Sequence, residues 1–163
     1  MKQLKIEIEK KELFSCAFTG HRELEENFPF LKLKKEVESL IKQGVSLFYN
    51  GMAKGFDLLS AEIVLNLKKK YPHIKFVACV PCYGQEKNFN KEEKERYVKI
   101  LKKADETVIL SDHYFRGCMQ VRDQYMVDRA DILIAYCKKT TGGAAYTVGY
   151  CKKKYKEKEI IYI

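Results

Sequence analysis

A chain of 163 residues has the length of one domain, and a core of that size needs no disulfide or metal staple. With 46% hydrophobic and 33% charged residues it lies outside the compositions of disordered chains, and no apolar run approaches the roughly 20 residues of a membrane span. The 31 basic against 22 acidic side chains give a net charge of +9, which permits nucleotides, nucleic acid or an anionic membrane surface as partners.

Residues 1–12 alternate charged with apolar side chains and lack a continuous apolar stretch. They read as an edge strand or a frayed end, not a secretory signal, and the expected location is the cytoplasm. Short apolar, β-rich runs follow at 14–18, 45–49, 75–80, 107–110, 132–136 and 160–163. Their near-continuous apolarity predicts six strands covered on both faces. Helical patterns fill the gaps. Residues 30–43 place Leu33, Val37, Leu40 and Ile41 on one face and stop at Gly44, a helix-ending residue. Residues 57–70 place Leu59, Ile63 and Leu67 at four-residue steps. Asn90 is the expected N-cap of a charged helix running to about residue 103, and 117–129 and 144–154 complete the set. Strand, helix, strand, repeated five times, predicts one α/β domain over 1–163. Its sheet is doubly wound and mainly parallel, with right-handed crossovers and helices on both faces.

Most of the positive charge is lysine spread along helix exteriors, where it solvates a face. Arginine is scarce: Arg22, Arg96, Arg116, Arg122 and Arg129. A chain that uses lysine for routine charge keeps arginine where a two-pronged donor matters. Cys16, Cys79, Cys82, Cys118, Cys137 and Cys151 read as small apolar fillers or free thiols. Cys79 and Cys82 have redox spacing, but Cys79 falls inside an apolar run and no second pair completes a metal site. No metal is expected.

In a doubly wound sheet, ligands bind beyond the carboxyl ends of the strands. The loops that follow strands carry Thr19-Gly20-His21-Arg22, then Asn50-Gly51-Met52-Ala53-Lys54-Gly55, then Pro81-Cys82-Tyr83-Gly84-Gln85, then 111–118, and finally Thr140-Thr141-Gly142-Gly143. Gly-rich turns that open helices suit an anion, because backbone N–H groups can approach a phosphate. Neither the P-loop pattern nor the G-x-G-x-x-G fingerprint occurs. The expected phosphate cradle is Thr19, Gly20, His21, Arg22, Gly51, Gly55, Gly142 and Gly143, with Arg122 as a second cation. Tyr83 or Phe89 is available to stack on a base.

These segments, with Asp57, Ala61-Glu62, Gly117-Cys118-Met119, Tyr125-Met126-Val127-Asp128 and Ala130-Asp131 in order, resemble the YpsA-like family of the SLOG superfamily over nearly the whole chain. The resemblance implies a Rossmann-like fold and a nucleotide, or a nucleotide-derived small molecule, over the Gly loops. It implies a regulatory, ligand-sensing role linked to bacterial cell division. Two relatives in the superfamily sharpen the alternatives. The Lonely-guy phosphoribohydrolases carry Pro-Gly-Gly-x-Gly-Thr followed by a glutamate. Here residues 141–147, followed by Val148, Gly149 and Tyr150, lack both the third glycine and that glutamate. The carboxylates on offer for a hydrolase of an N-glycosidic bond are Asp57 and Glu62, about 140° apart around one helix. Phe89 stands where the family often has tryptophan. The single-stranded-DNA loader of the superfamily has a Ser-Gly-x-Ala-x-Gly-Ile-Asp loop that 50–57 resembles, with Asn50 in place of serine. A nucleic-acid groove would need interleaved aromatics, which Tyr114, Phe115, Arg116 and Tyr125 only suggest. The expected partner is therefore a small nucleotide-type ligand, not a membrane and not primarily nucleic acid. No cofactor is required, and self-association is left open.

Overall fold

The computed structural model describes residues 14–163. The proposed edge strand at 1–12 lies outside the described residues. The elements in chain order are β1 (Ser15–Gly20), α1 (Phe30–Lys42), β2 (Leu47–Asn50), α2 (Phe56–Lys68), β3 (Lys75–Val80), a 3₁₀ turn (Gln85–Asn88), α3 (Lys91–Lys103), β4 (Glu106–Ile109), α4 (Cys118–Arg129), β5 (Ile132–Tyr136), α5 (Gly143–Lys154) and β6 (Glu159–Tyr162). The six strands form one sheet in the order β4-β3-β2-β1-β5-β6, with every neighbouring pair parallel. This is a Rossmann-like α/β fold.

The sheet divides the apolar side chains into two cores. One face buries Phe18, Phe48, Phe76, Ile132 and Ile134 under α1, α2 and α3. The other buries Ala17, Val77, Cys79, Leu133 and Ala135 under α4 and α5. Coverage on both faces holds for the central strands and fails at the edges. Glu106, Thr107 and Ile109 of β4 are exposed, and β6 is only partly covered. An edge strand has a neighbour on one side only, and charged residues there also discourage pairing with other chains.

Local chemistry fixes the boundaries. Gly44 ends α1 in a left-handed conformation (φ 109°), and the Val45 N–H returns to the Leu40 carbonyl (2.9 Å). Val45 therefore closes a helix, and β2 begins only at Leu47. Asn90 caps α3 as its sequence predicts: its side chain accepts from the Glu93 N–H (2.8 Å), and Glu93 accepts from the Asn90 N–H (3.0 Å), the reciprocal pair of a capping box. Asp131 joins the two central strands by accepting from the Ser15 hydroxyl (2.8 Å) and N–H (3.1 Å). No helix among the described residues is long and apolar enough to cross a membrane.

Strand order reverses beside β1, with β2 on one side and β5 on the other. Chains leave these strands in opposite directions there, which opens a crevice at their carboxyl ends.

Candidate functional site

The loop after β1 is seated by close backbone packing. A Cβ on Gly20 would stand 2.3 Å from the Phe56 ring. Gly55 has φ +78°, and a Cβ there would stand 2.3 Å from the Arg22 carbonyl oxygen. These two glycines let 20–22 lie directly on the start of α2, where the Phe56 N–H donates to the His21 carbonyl (3.1 Å). The His21 Nε2 accepts from the Lys138 N–H (2.8 Å), and its ring meets the Tyr136 ring edge-on at 5.3 Å. Burial and nearby Lys139 lower the His21 pKa, which matches a neutral imidazole used as an acceptor. His21 thus ties the β1 loop to the β5 loop. Arg22 next to it is exposed.

The loop after β2 is organised by Asn50. Its Oδ1 accepts from the Met52 N–H (2.9 Å), and its Nδ2 donates to the Asp57 carbonyl (2.9 Å). That pinning holds Met52 at φ +61°, a left-handed conformation unusual for a non-glycine residue. The Gly51 carbonyl accepts from Gln85 Nε2 (3.0 Å) and from Arg122 Nη1. A Cβ on Gly51 would stand 2.8 Å from the Arg122 guanidinium.

Arg122 is only 5% exposed. Its Nε donates to Asp123 Oδ1 (2.7 Å), and its Nη2 lies 4.0 Å from Met119 Sδ. Most of the fork is occupied within the protein, so Arg122 is a buried support of the site and not the open second cation its spacing suggests. Asp57 is 6% exposed. Its Oδ2 accepts from the Ala53 N–H (3.2 Å), while its Oδ1 is buried without a partner. Burial raises the carboxyl to about 7, against the lowering effects of Arg122 and the Ala53 N–H.

These pieces surround a cleft of about 840 Å³. One wall is 19–22, the floor includes Ala53 and Asp57, α4 contributes Met119, Arg122 and Asp123, and the far wall is Tyr136 with 141–143. Gly142 has φ +98°, and a Cβ on either Gly142 or Gly143 would meet nothing within 4 Å. The backbone there is open to the cleft. Thr19, Gly20, His21, Arg22, Asp57, Arg122, Gly142 and Gly143 thus come together, and Gly51 and Gly55 lie behind the lining as packing positions. Lys54, Asp123, Lys138 and Lys139 also line the cleft and were not expected. The three lysines sit in post-strand loops, so the rule that pointed to the glycines points to them as well, whereas Asp123 lies within α4.

Three expected residues lie elsewhere. Glu62 pairs with Arg96 in a groove between α2 and α3. Five residues beyond Asp57, it is turned out of the cleft by the helix. Tyr83 is 62% exposed and does not line the cleft. Phe89 packs edge-on against the Tyr97 ring at 5.7 Å, so its aromaticity serves the core. Cys79 lies inside β3 with its thiol pushed up to about 12 by burial.

Comparison with known proteins agrees with this architecture. The family model described as YspA SLOG matches residues 17–163. The UPF0398 protein BH1768 of Halalkalibacterium halodurans is 28% identical over 124 residues, covering 74% of this chain and 66% of that protein. DNA processing protein A of Streptococcus pneumoniae superposes with a TM-score of 0.68 at 15% identity, over 92% of this chain and 50% of its own. DNA processing protein A of Helicobacter pylori, solved for its single-stranded DNA binding mode, gives 0.66 at 16% identity over 91% and 64%. At such identities these two structures bear on the fold. The chain spans half the length of the first and about two thirds of the curated relative. With the family model matched over all but the first 16 residues, the chain belongs to the YspA SLOG family.

Proposed function

We propose that this chain binds a nucleotide or a nucleotide-derived small molecule in the cleft at the carboxyl edge of the sheet, as a regulatory, ligand-sensing protein with bacterial cell division as the process to examine. One observation carries this reading. Three separate post-strand loops converge on a single 840 Å³ space whose lining holds Arg22, Lys54, Lys138 and Lys139, against Glu23 and Glu25, together with the open backbone of Gly142 and Gly143. Cations and exposed N–H groups around one concavity are what a phosphate requires. The test is calorimetry and thermal shift with nucleoside monophosphates, nucleoside diphosphates and NAD. Absence of binding across that panel refutes the reading.

Arg22 is the cation of this rim that most needs its shape. Arg22→Lys keeps the charge and loses the planar fork. It is expected to weaken the best nucleotide of the panel by about 1–3 kcal/mol, the scale of a charge-assisted hydrogen bond. The melting temperature of the unliganded protein should barely move, because Arg22 is exposed. A variant that melts early yet keeps its ligand-induced shift would make Arg22 a scaffold residue.

Asp57 favours a second reading, hydrolysis of a nucleotide-type N-glycosidic bond. A carboxyl that titrates near neutrality at the floor of the cleft has the proton affinity of a general acid or base. Release of free base on incubation with the panel, lost in Asp57→Asn, would establish it.

A nucleic-acid reading draws on the single-stranded DNA binding of the Helicobacter pylori neighbour and on exposed Tyr114 and Phe115 beside Arg116. The lysines are dispersed, so a single-stranded oligonucleotide is expected to bind weakly at physiological salt, to fade steeply as salt rises, and to show no sequence preference. Tight binding that persists at high salt in a filter or anisotropy assay would favour this reading over the first.

A further inference from the structure

Asp57 has an unsatisfied requirement that the fold does not meet. Its Oδ2 is held by the Ala53 N–H, and its Oδ1 is buried with no donor. An ionised carboxylate in that state leaves a desolvated negative oxygen unpaired, which is expensive. The charged groups facing it are Arg122 and Asp123 from α4 and Arg22 from the β1 loop, with His21 and Lys54 also on the cleft lining. Arg122 and Asp123 are ion-paired with each other at 2.7 Å, so much of their charge cancels locally. His21 uses Nε2 as an acceptor. What remains is one carboxyl at the floor of a cleft whose rim carries Arg22, Lys54, Lys138 and Lys139 against Glu23 and Glu25.

Resting on the nucleotide-binding reading, we propose that Asp57 meets the ligand as a neutral carboxylic acid: a small turn of the carboxyl brings Oδ1 from its buried position to the cleft, where it donates a hydrogen bond to an anionic oxygen of the ligand, so that binding takes up a proton. An ionised Asp57 would set two negatively charged oxygens against each other. The neutral acid turns the orphaned acceptor into the missing donor. The raised carboxyl of the free protein, near 7, places this exchange in the physiological range. The sign follows: below that value the free protein already holds the proton, and above it the proton must be taken from solvent. Affinity therefore falls as pH rises through and beyond neutrality.

The probe is the tightest-binding nucleotide of the panel above, measured by calorimetry at pH 6 and pH 8.5 in buffers of different ionisation enthalpy. Wild type and Asp57→Asn are compared, because the ligand's own titration cancels in the difference. Asparagine imitates the neutral acid and cannot ionise. The expected result is a wild-type affinity that drops about tenfold more than that of Asp57→Asn between the two pH values, one pKa unit of coupling being tenfold. Proton uptake at pH 8.5 should be present in the wild type and missing in the variant. Carbon-13 carboxyl titration of the wild type, with and without the nucleotide, reports the same coupling even if the variant folds poorly. Equal proton uptake in both proteins, an unmoved carboxyl titration, or a loss of more than tenfold for Asp57→Asn at both pH values would overturn the proposal. The last outcome would make Asp57 an ionised acceptor. Absence of any binder at either pH would instead sink the binding reading itself, and this inference with it.

Discussion

Gly55→Ala is expected to lower the melting temperature by about 5–15 °C and to abolish nucleotide binding. Two costs add. An L-residue at φ +78°, ψ −120° lies outside the left-handed helical region, in a conformation only glycine adopts readily, and carries about 1–3 kcal/mol of strain. The new methyl would also stand 2.3 Å from the Arg22 carbonyl oxygen and 2.7 Å from that of His21. Those atoms are backbone, and the Phe56 N–H already holds the His21 carbonyl, so neither side can yield by a rotamer change. Together the loss is about 2–4 kcal/mol, and a domain of this size loses about 2–4 °C per kcal/mol. Relief requires the 20–22 segment to lift away from α2, and that carries Arg22 out of the cleft. Gly84→Ala is the control. Gly84 (φ +81°, ψ +16°) sits in the left-handed helical region, a milder case than Gly55, with nothing within 4 Å of a built Cβ, so it reports the cost of a positive φ without the collision. Differential scanning calorimetry of both variants decides. If Gly55→Ala melts with Gly84→Ala, the close approach of the two loops is not what seats Arg22.

The fold was legible because pattern and local chemistry agree at each level. Apolar runs of strand length, helices with clear stripes such as Leu33, Val37, Leu40 and Ile41, and the Asn90–Glu93 cap all point to the same alternation, and each is a short-range signal. The shortfalls arise where a residue's partner is distant. Val45 is as β-prone as its neighbours, yet its N–H closes α1. The apolarity of β4 predicts cover on both faces, but sheet order, invisible in the sequence, puts β4 at an edge.

The candidate site was legible in its loops and less so in its side chains. Post-strand position located the cleft walls, because a parallel sheet brings those loops to one edge whatever their residues. It could not tell lining from support. Gly51 and Gly55 resemble cradle glycines and instead allow an arginine and a backbone carbonyl to come close. His21 reads as a ligand group and holds the Lys138 N–H. Glu62 and Asp57 are close in sequence but leave α2 in different directions, one to the groove beside α3 and the other to the cleft, since five residues turn a helix by about 140°. The lysines 54, 138 and 139 were masked by the abundance of lysine elsewhere in the chain.

Arg122 is where sequence and structure differ most in consequence, and its replacement is the largest effect expected. Arg122→Met should destabilise the protein by about 3–5 kcal/mol, the range for removing one partner of a buried ion pair. Methionine fills comparable space, so the loss is electrostatic. It leaves Asp123, a buried residue of α4, without its counter-ion, and it strips the Gly51 carbonyl of one of its two donors. The Gly51 loop should loosen, and Asp57 should lose a cation that favours its charged form. Arg122→Lys is expected to rescue only part of this, because an ammonium cannot hold Asp123 and the Gly51 carbonyl in the planar geometry of the fork. Adding Asp123→Asn to Arg122→Met removes the stranded charge and should recover more than half of the lost stability, since exchanging both members of a buried pair is far cheaper than breaking it. Urea melts of the three variants give the comparison. A single Arg122→Met variant that melts like the wild type while losing nucleotide affinity would return Arg122 to the role its sequence position suggests, a cation for the ligand. A double variant no better than the single would show that the Gly51 contact, not the charge of Asp123, makes Arg122 necessary.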